Sequence, residues 1–340
     1  MPETTDLPAA STERVEPSDT AVEARVYSTS PLFILAPPRS FTSIVCAILG
    51  QHPQMYSVPE LHLFNTETMA EWWRLSDNAT FPRAAGTLRT IAQVFFGGQT
   101  EETVREARGW LRRRSYLTTG ALFELIAQKV YPRILVEKSS SIAYRVEFLN
   151  RCHRMFPNAR FLHLLRHPRS QGESVMKYIE MRRKLGRIPP NHWLYRVSTR
   201  REAWWANGDA QAVDPQRGWY ELNQNILQFL ETVPQHQQMR VRGEHLLTDL
   251  DQVLKSVADW LDIRTDADAI ENCKHPERSP YACLGPKGAI YGNDRYFLEN
   301  PVLRPQQARR CALEGKLSWR TDAHGFAPPV KRLARQLGYS

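Results

Sequence analysis

The chain has 340 residues, with 45 Lys and Arg against 36 Asp and Glu, a formal net charge of +9, 42% hydrophobic residues and 24% charged residues. That length can bury a sizeable core, and this balance excludes a chain that is mainly disordered. The positive charge favours an acidic ligand or partner without choosing among phosphate compounds, nucleic acid and an acidic protein.

Residues 1–28 carry scattered acids and no apolar run, so they read as a flexible extension or linker and not as a secretory signal or membrane anchor. The folded domain is expected over 29–340. Its first element is a buried strand, Leu32 to Ala36, followed by the loop Ala36 to Ser43 and an apolar helix, Phe41 to Leu49. The stretch "HPQMYSVPELHLF", 52–64, brings the chain back with Glu60 and His62. Segments 65–130 and 176–225 read as mostly helical, and their tryptophans (Trp72, Trp73, Trp193, Trp204, Trp205, Trp219) read as core.

Further strands are expected at Ile134 to Val136, Phe161 to Leu165 and Met239 to Arg242. Strands alternating with helices predict a parallel sheet covered on both faces. Residues 241–263 read as a strand, a Glu-containing turn and an amphipathic structural helix, and 272–305 as a long ordered loop over the sheet edge. The basic runs Arg112-Arg113-Arg114 and Arg182-Arg183-Lys184 read as helix faces, solvated or docking an acidic partner. No apolar run is long enough to span a bilayer. The five cysteines lack CxxC or zinc spacing, which predicts a reducing, cytoplasmic setting with neither disulfides nor a metal.

In parallel sheets ligands bind at the carboxyl ends of the strands. Three such ends carry hydroxyls and cations: "APPRSFTS" with Arg39, Ser40, Phe41, Thr42 and Ser43; Glu137-Lys138 followed by three serines; and "RHPRSQGES" from Arg166 to Ser174. Two of them open helices, whose N-termini favour anions. The first is placed like a P-loop, but the GxxxxGK[ST] pattern is absent, which weakens an ATP-and-magnesium reading.

"APPRSFTS" resembles the 5′-phosphosulfate loop of sulfotransferases, and "LHLLRHPRSQGES" is similar to their 3′-phosphate segment, with Arg166 and Ser174 at the matching positions. The resemblance implies a P-loop-like three-layer sandwich with a central parallel sheet and helical lid insertions. It also implies 3′-phosphoadenosine-5′-phosphosulfate (PAPS) as donor and 3′,5′-bisphosphoadenosine (PAP) as product, with no metal. Phe41 departs from the family's usual glycine, which puts the loop's conformation in question. Lys287 and Gly288, in "GPKGAIYG", match a late basic loop used against the 3′-phosphate.

Sulfuryl transfer needs positioned cations for charge on the leaving oxygen and a base for the acceptor's proton. Arg39 and Lys138 are the expected cations; an ion pair with Glu137 is the plain alternative for Lys138. Glu60 is the leading base by analogy with other branches of the family, and His62 its near rival or its partner; helix capping and core packing are the structural alternatives. His275, Arg278, Arg200 and Arg201 are weaker candidates for acceptor contacts. "PELHLF" together with "SPYACLGPKGAIYGND" looks most like the sulfotransferase domains of polyketide synthases that make terminal alkenes. That branch implies a β-hydroxyacyl acyl carrier protein as partner and a downstream thioesterase, with neither nucleic acid nor membrane. Sulfotransferases of carbohydrate, lipid or small-molecule hydroxyls would share the donor residues. A P-loop-like kinase and nonspecific nucleic-acid binding are the remaining alternatives.

Overall fold

In the computed structural model the described residues are 29–76, 84–184, 214–303, 311–320, 322 and 324–340. Trp193, Arg200, Arg201, Trp204, Trp205 and the expected extension 1–28 lie outside them, as does the side chain of Arg183. Five strands, β1 (Leu32–Leu35), β2 (Met55–Ser57), β3 (Ile134–Glu137), β4 (Arg160–Leu165) and β5 (Gln238–Arg242), form one parallel sheet in the order β2-β3-β1-β4-β5. Four follow the expected apolar runs to within a residue or so. The three-residue β2 was missed, because a short edge strand carries too few residues to show a period.

The central strands β1, β3 and β4 are largely apolar and buried on both sides, since both faces of the sheet are covered there. Phe33 and Leu35 of β1, Leu135 of β3 and Phe161 of β4 enter one core; Leu32, Ile34, Val136, Leu162 and Leu164 enter the other. Full burial of each such side chain contributes about 1.5–3 kcal/mol. Helix α1 (Thr42–Leu49) leads from β1 towards β2. The crossover from β2 to β3 carries α2 (Met69–Ser76), α3 (Ala85–Phe96), α4 (Glu101–Arg113) and α5 (Thr119–Val130), the inserted helical layer. Thr100 and Thr103 form a capping box at the start of α4, and Arg112 and Arg113 end it, both favourable for helix formation. Arg114 is buried under the Trp110 ring at 4.0 Å, so only two residues of that basic run face solvent.

Between β3 and β4 lies α6 (Val146–Met155), and α7 (Pro168–Lys184) opens directly after β4. Asp214 caps α8 (Pro215–Leu230), which returns to β5 with Pro215 in its first turn. Helices α9 (Gly243–Thr248), α10 (Leu250–Leu261) and α11 (Ala267–Cys273) follow β5. Glu244, at the expected turn, is structural: it accepts from the backbone N–H of His167 (2.8 Å) and the hydroxyl of Tyr339 (3.1 Å). The loop predicted over 272–305 holds 3₁₀ turns and the short α12 (Arg295–Glu299), while α13 (Pro328–Gln336) packs near the chain end. Among the described residues no helix is long and apolar enough to cross a membrane.

Candidate active site

Strand β1 lies between β3 and β4, so the loop after it is flanked by the residues that end its two neighbours. Helix α1 begins at Thr42, one residue later than expected, because Phe41 adopts a left-handed conformation (φ 64°). Arg39 does the same (φ 69°). The loop therefore takes the backbone shape a glycine would allow, at a cost of order 1–3 kcal/mol per residue in this region. Packing supports the shape. The Phe41 ring lies against Gly243, where an added Cβ would sit 2.4 Å from it, and under the Arg166 guanidinium at 4.1 Å.

On the β4 side, Arg166 donates to the carbonyl of Arg39 (2.6 Å) and to Ser170 Oγ (3.1 Å), and Gln171 donates to the carbonyl of Pro38 (2.8 Å). Arg39 donates to Ser174 Oγ (3.2 Å), pairs with Asp294 and is flanked by the rings of Tyr178 and Tyr296 at 5.7 and 5.5 Å. Burial, then the Arg39 charge, pushes Arg166 down from its ordinary value to about 10. Two guanidinium groups thus share a poorly solvated corner, and Ser40 Oγ, fully buried, has no hydrogen-bond partner. A bound polyanion would neutralise the first and satisfy the second. The residues present fit a nucleotide-borne phosphosulfate.

On the β3 side, the buried Lys138 ammonium donates to Ser43 Oγ (3.0 Å) and to Glu60 Oε1 (3.0 Å). Its partner is Glu60, across the site, and not the adjacent Glu137. Glu137 is instead buried beneath the loop, accepting from the N–H of Leu61 (3.2 Å) and from the N–H and hydroxyl of Ser139. The Ser139 hydroxyl in turn accepts from the His62 N–H (2.8 Å), which ties "PELHLF" to the end of β3. His62 has φ 54°, directs Nε2 to within 3.6 Å of Glu60 Oε2, and places Nδ1 2.8 Å from Ser141 Oγ. Burial raises the Glu60 carboxyl, but the Lys138 charge and His62 outweigh it and bring it to about 2.

Glu60 is further fixed through its backbone, donating its N–H to the Gly292 carbonyl at 2.9 Å. Gly86 packs against the same backbone, where an added Cβ would lie 2.0 Å from the Glu60 carbonyl oxygen. Gly86→Ala should therefore displace Glu60. The expected result is a loss of about 1–3 kcal/mol of stability and a reduced kcat, with PAP affinity unchanged, measured by thermal unfolding, steady-state kinetics and calorimetry.

Arg39, Ser40, Thr42, Ser43, Glu60, His62, Lys138, Arg166 and Ser174 are thus brought to one edge of the sheet. Lys287 and Gly288 are placed differently: their backbone N–H groups are held by Glu101 at the start of α4, and the Lys287 side chain is exposed. The late loop instead delivers Asp294, whose carboxylate meets Arg39 and whose N–H donates to Ser43 Oγ (3.2 Å). Nothing local marked Asp294, Tyr178, Tyr296 or Asn65 as members of the site; Asp294 before "RYF" signals only the helix cap it also provides. His275 pairs with Glu277 (2.9 Å), and Arg278 lines a separate cleft with Arg133 and Tyr56. Among the described residues no group of three or more His, Cys, Asp or Glu side chains is placed to hold a metal ion.

The sequence profile of the sulfotransferase family matches residues 31–267, from β1 through the end of β5 and on into α11. The chain belongs to the sulfotransferase family. The architecture agrees: this sulfotransferase superposes on the sulfotransferase domain from the curacin biosynthetic pathway with a TM-score of 0.68 and 22% identity, covering 92% of this chain and 98% of that one. The sulfotransferase domain from the Synechococcus PCC 7002 olefin synthase gives 0.64 and 22%, covering 92% and 96%. A comparison with curated proteins returned no match. The profile match ends before the loop that carries Asp294, so that residue is a feature of this sulfotransferase's tertiary structure and lies outside the family signature.

Proposed function

We propose that this enzyme transfers the sulfuryl group of PAPS to the β-hydroxyl of an acyl chain carried on an acyl carrier protein, priming a thioesterase-catalysed decarboxylative formation of a terminal alkene. The observation that carries the transfer reading is the convergence of Arg39, Lys138, Glu60 and His62 around the β1 loop. Arg166, Ser170 and Ser174 hold the nucleotide's 3′-phosphate, and the loop from Arg39 to Ser43 holds the phosphosulfate. The acceptor oxygen forms the new O–S bond in line as the S–O bond to the 5′-phosphate breaks. Lys138 and Arg39 meet the charge that develops on that leaving oxygen.

The acceptor's proton goes to His62 Nε2. A carboxylate held at about 2 is a weak proton acceptor at neutral pH, so Glu60 serves to stabilise the imidazolium that forms. This reverses the order of the two candidates expected from the sequence. The reading of the acceptor is supported by the resemblance carried by "PELHLF" and "SPYACLGPKGAIYGND" and by a net charge of +9 that suits an acidic carrier. We take residues 29–340 as the catalytic domain, working in the cytoplasm with neither nucleic acid nor membrane as partner.

Intact-protein mass spectrometry of a β-hydroxyacyl carrier protein incubated with PAPS tests the reading, with free hydroxylated small molecules in parallel. Gain of one sulfuryl group on the carrier is expected. Sulfation of the small molecules alone would discard the carrier, and no transfer with no PAPS binding would discard the donor. The nucleotide assignment has its own test: Arg166→Ala should weaken PAP binding about 10- to 100-fold by calorimetry, the loss expected for hydrogen bonds to a charged group.

A further inference from the structure

We propose that Asn65, acting through Ser141, is a positioning residue that decides which ring nitrogen of His62 carries the proton. The inference rests on the reading of His62 as the base. Ser141 is buried at 4% exposure, with its hydroxyl 2.8 Å from His62 Nδ1. The Asn65 amide brings both its atoms to that same hydroxyl, Nδ2 at 3.0 Å and Oδ1 at 3.2 Å. A serine hydroxyl has one hydrogen to give.

Two arrangements follow. If Ser141 gives its hydrogen to His62 Nδ1, the neutral ring carries its proton on Nε2, facing Glu60, and no lone pair is left for the acceptor. If Ser141 gives it to Asn65 Oδ1, the hydroxyl accepts from Nδ1–H and Nε2 keeps its lone pair beside Glu60 Oε2 at 3.6 Å. The Glu60 carboxylate by itself favours a proton on Nε2, so Asn65 Oδ1 supplies the opposing pull. When the acceptor's proton arrives, both N–H groups of the imidazolium have acceptors, Ser141 on one side and Glu60 on the other. The network is thus matched to the charged ring formed during transfer and not to the resting one.

Nothing in the sequence pointed to Asn65, which sits in the 3₁₀ turn Leu63–Asn65 that follows the left-handed His62. The turn makes the contact possible by folding residue 65 back over the end of β3, where Ser141 lies 76 positions further along the chain.

The test compares Asn65→Leu, Asn65→Asp and Ser141→Ala in the full chain, using PAPS and the hydroxyl acceptor sulfated in the mass-spectrometric assay. Asn65→Leu and Ser141→Ala should each lower kcat about 10- to 100-fold, part of the general-base contribution, with KM and PAP affinity nearly unchanged. Asn65→Asp, which can only accept from Ser141, should recover most of that loss. Nitrogen-15 NMR of the His62 ring gives a second readout that needs no turnover: an Nδ1–H tautomer in the wild-type protein, shifting towards Nε2–H in Asn65→Leu. Wild-type turnover in Asn65→Leu, no recovery in Asn65→Asp, or Nε2–H in the wild type would each overturn the proposal. Failure of the underlying reading looks different, since His62→Ala would then itself retain full activity.

Discussion

Lys138→Met should lower kcat by about 10²–10³-fold while the protein still folds and binds PAP, because the methionine fills the volume but removes a buried donor aimed at the reacting centre. Single-turnover transfer from bound PAPS would measure the effect without interference from product release. A second consequence follows from the ion pair. In the wild-type enzyme Glu60 is held at about 2, so it stays ionised throughout the useful pH range. Without Lys138 the burial that already pushes this carboxyl upward is less opposed, and its folded-state pKa rises. The residual rate of the variant should then carry a second dependence on pH, from Glu60, in addition to the one that a histidine base gives the wild type. A variant with unaltered kcat would show that Lys138 serves only to neutralise Glu60.

His62→Ala should cost about 10²–10⁴-fold in kcat, the usual range for a positioned general base, whereas Glu60→Gln should cost clearly less. The asymmetry is the diagnostic feature. Glu60→Gln keeps its one oxygen for Lys138 and turns its NH2 towards His62, so it loses the charge that stabilises the imidazolium. If Glu60 itself took the proton, the glutamine variant would be the more damaged of the two, and the sequence-based order of candidates would stand. PAP affinity serves as the control for both, since the residues proposed to hold the 3′-phosphate lie on the β4 side of β1, away from Glu60 and His62.

The ion pair also bears on how the site is stored before substrate arrives. Lys138 is 1% exposed and has two partners, Ser43 and Glu60. A buried ammonium without a carboxylate would be an uncompensated charge, so Glu60 balances it and holds it in place, as the proposed stabilisation of a leaving group requires. Asp294 stands in the same relation to Arg39 on the other side of the loop. Each cation of the transfer site is thus matched by one carboxylate.

The left-handed residues Arg39, Phe41 and His62 mark the same edge of the sheet. Strained backbone persists only where its surroundings over-determine it. At Phe41 those surroundings are the Gly243 backbone on one side and the Arg166 guanidinium on the other. The departure from glycine therefore leaves the loop's shape intact and gives Arg166 an aromatic surface to lie on.

The sequence by itself determined the parallel sheet, the three strand ends and the family. Those depend on signals carried within a dozen residues: an apolar run for a strand such as Phe161 to Leu165, and Arg166 and Ser174 spaced so that both reach one helix opening. Only the tertiary structure decided the rest. Strand β2 is too short for its three residues to show a period, and its pairing with β3 is what makes it a strand. That Lys138 meets Glu60 and not Glu137, that Asp294 reaches Arg39 across 255 positions, and that Lys287 and Gly288 go to Glu101 are all consequences of how distant segments dock. Their energies come from contacts between residues with no relation in sequence. A local pattern can nominate charged side chains for a site, but the partner of each is chosen by packing.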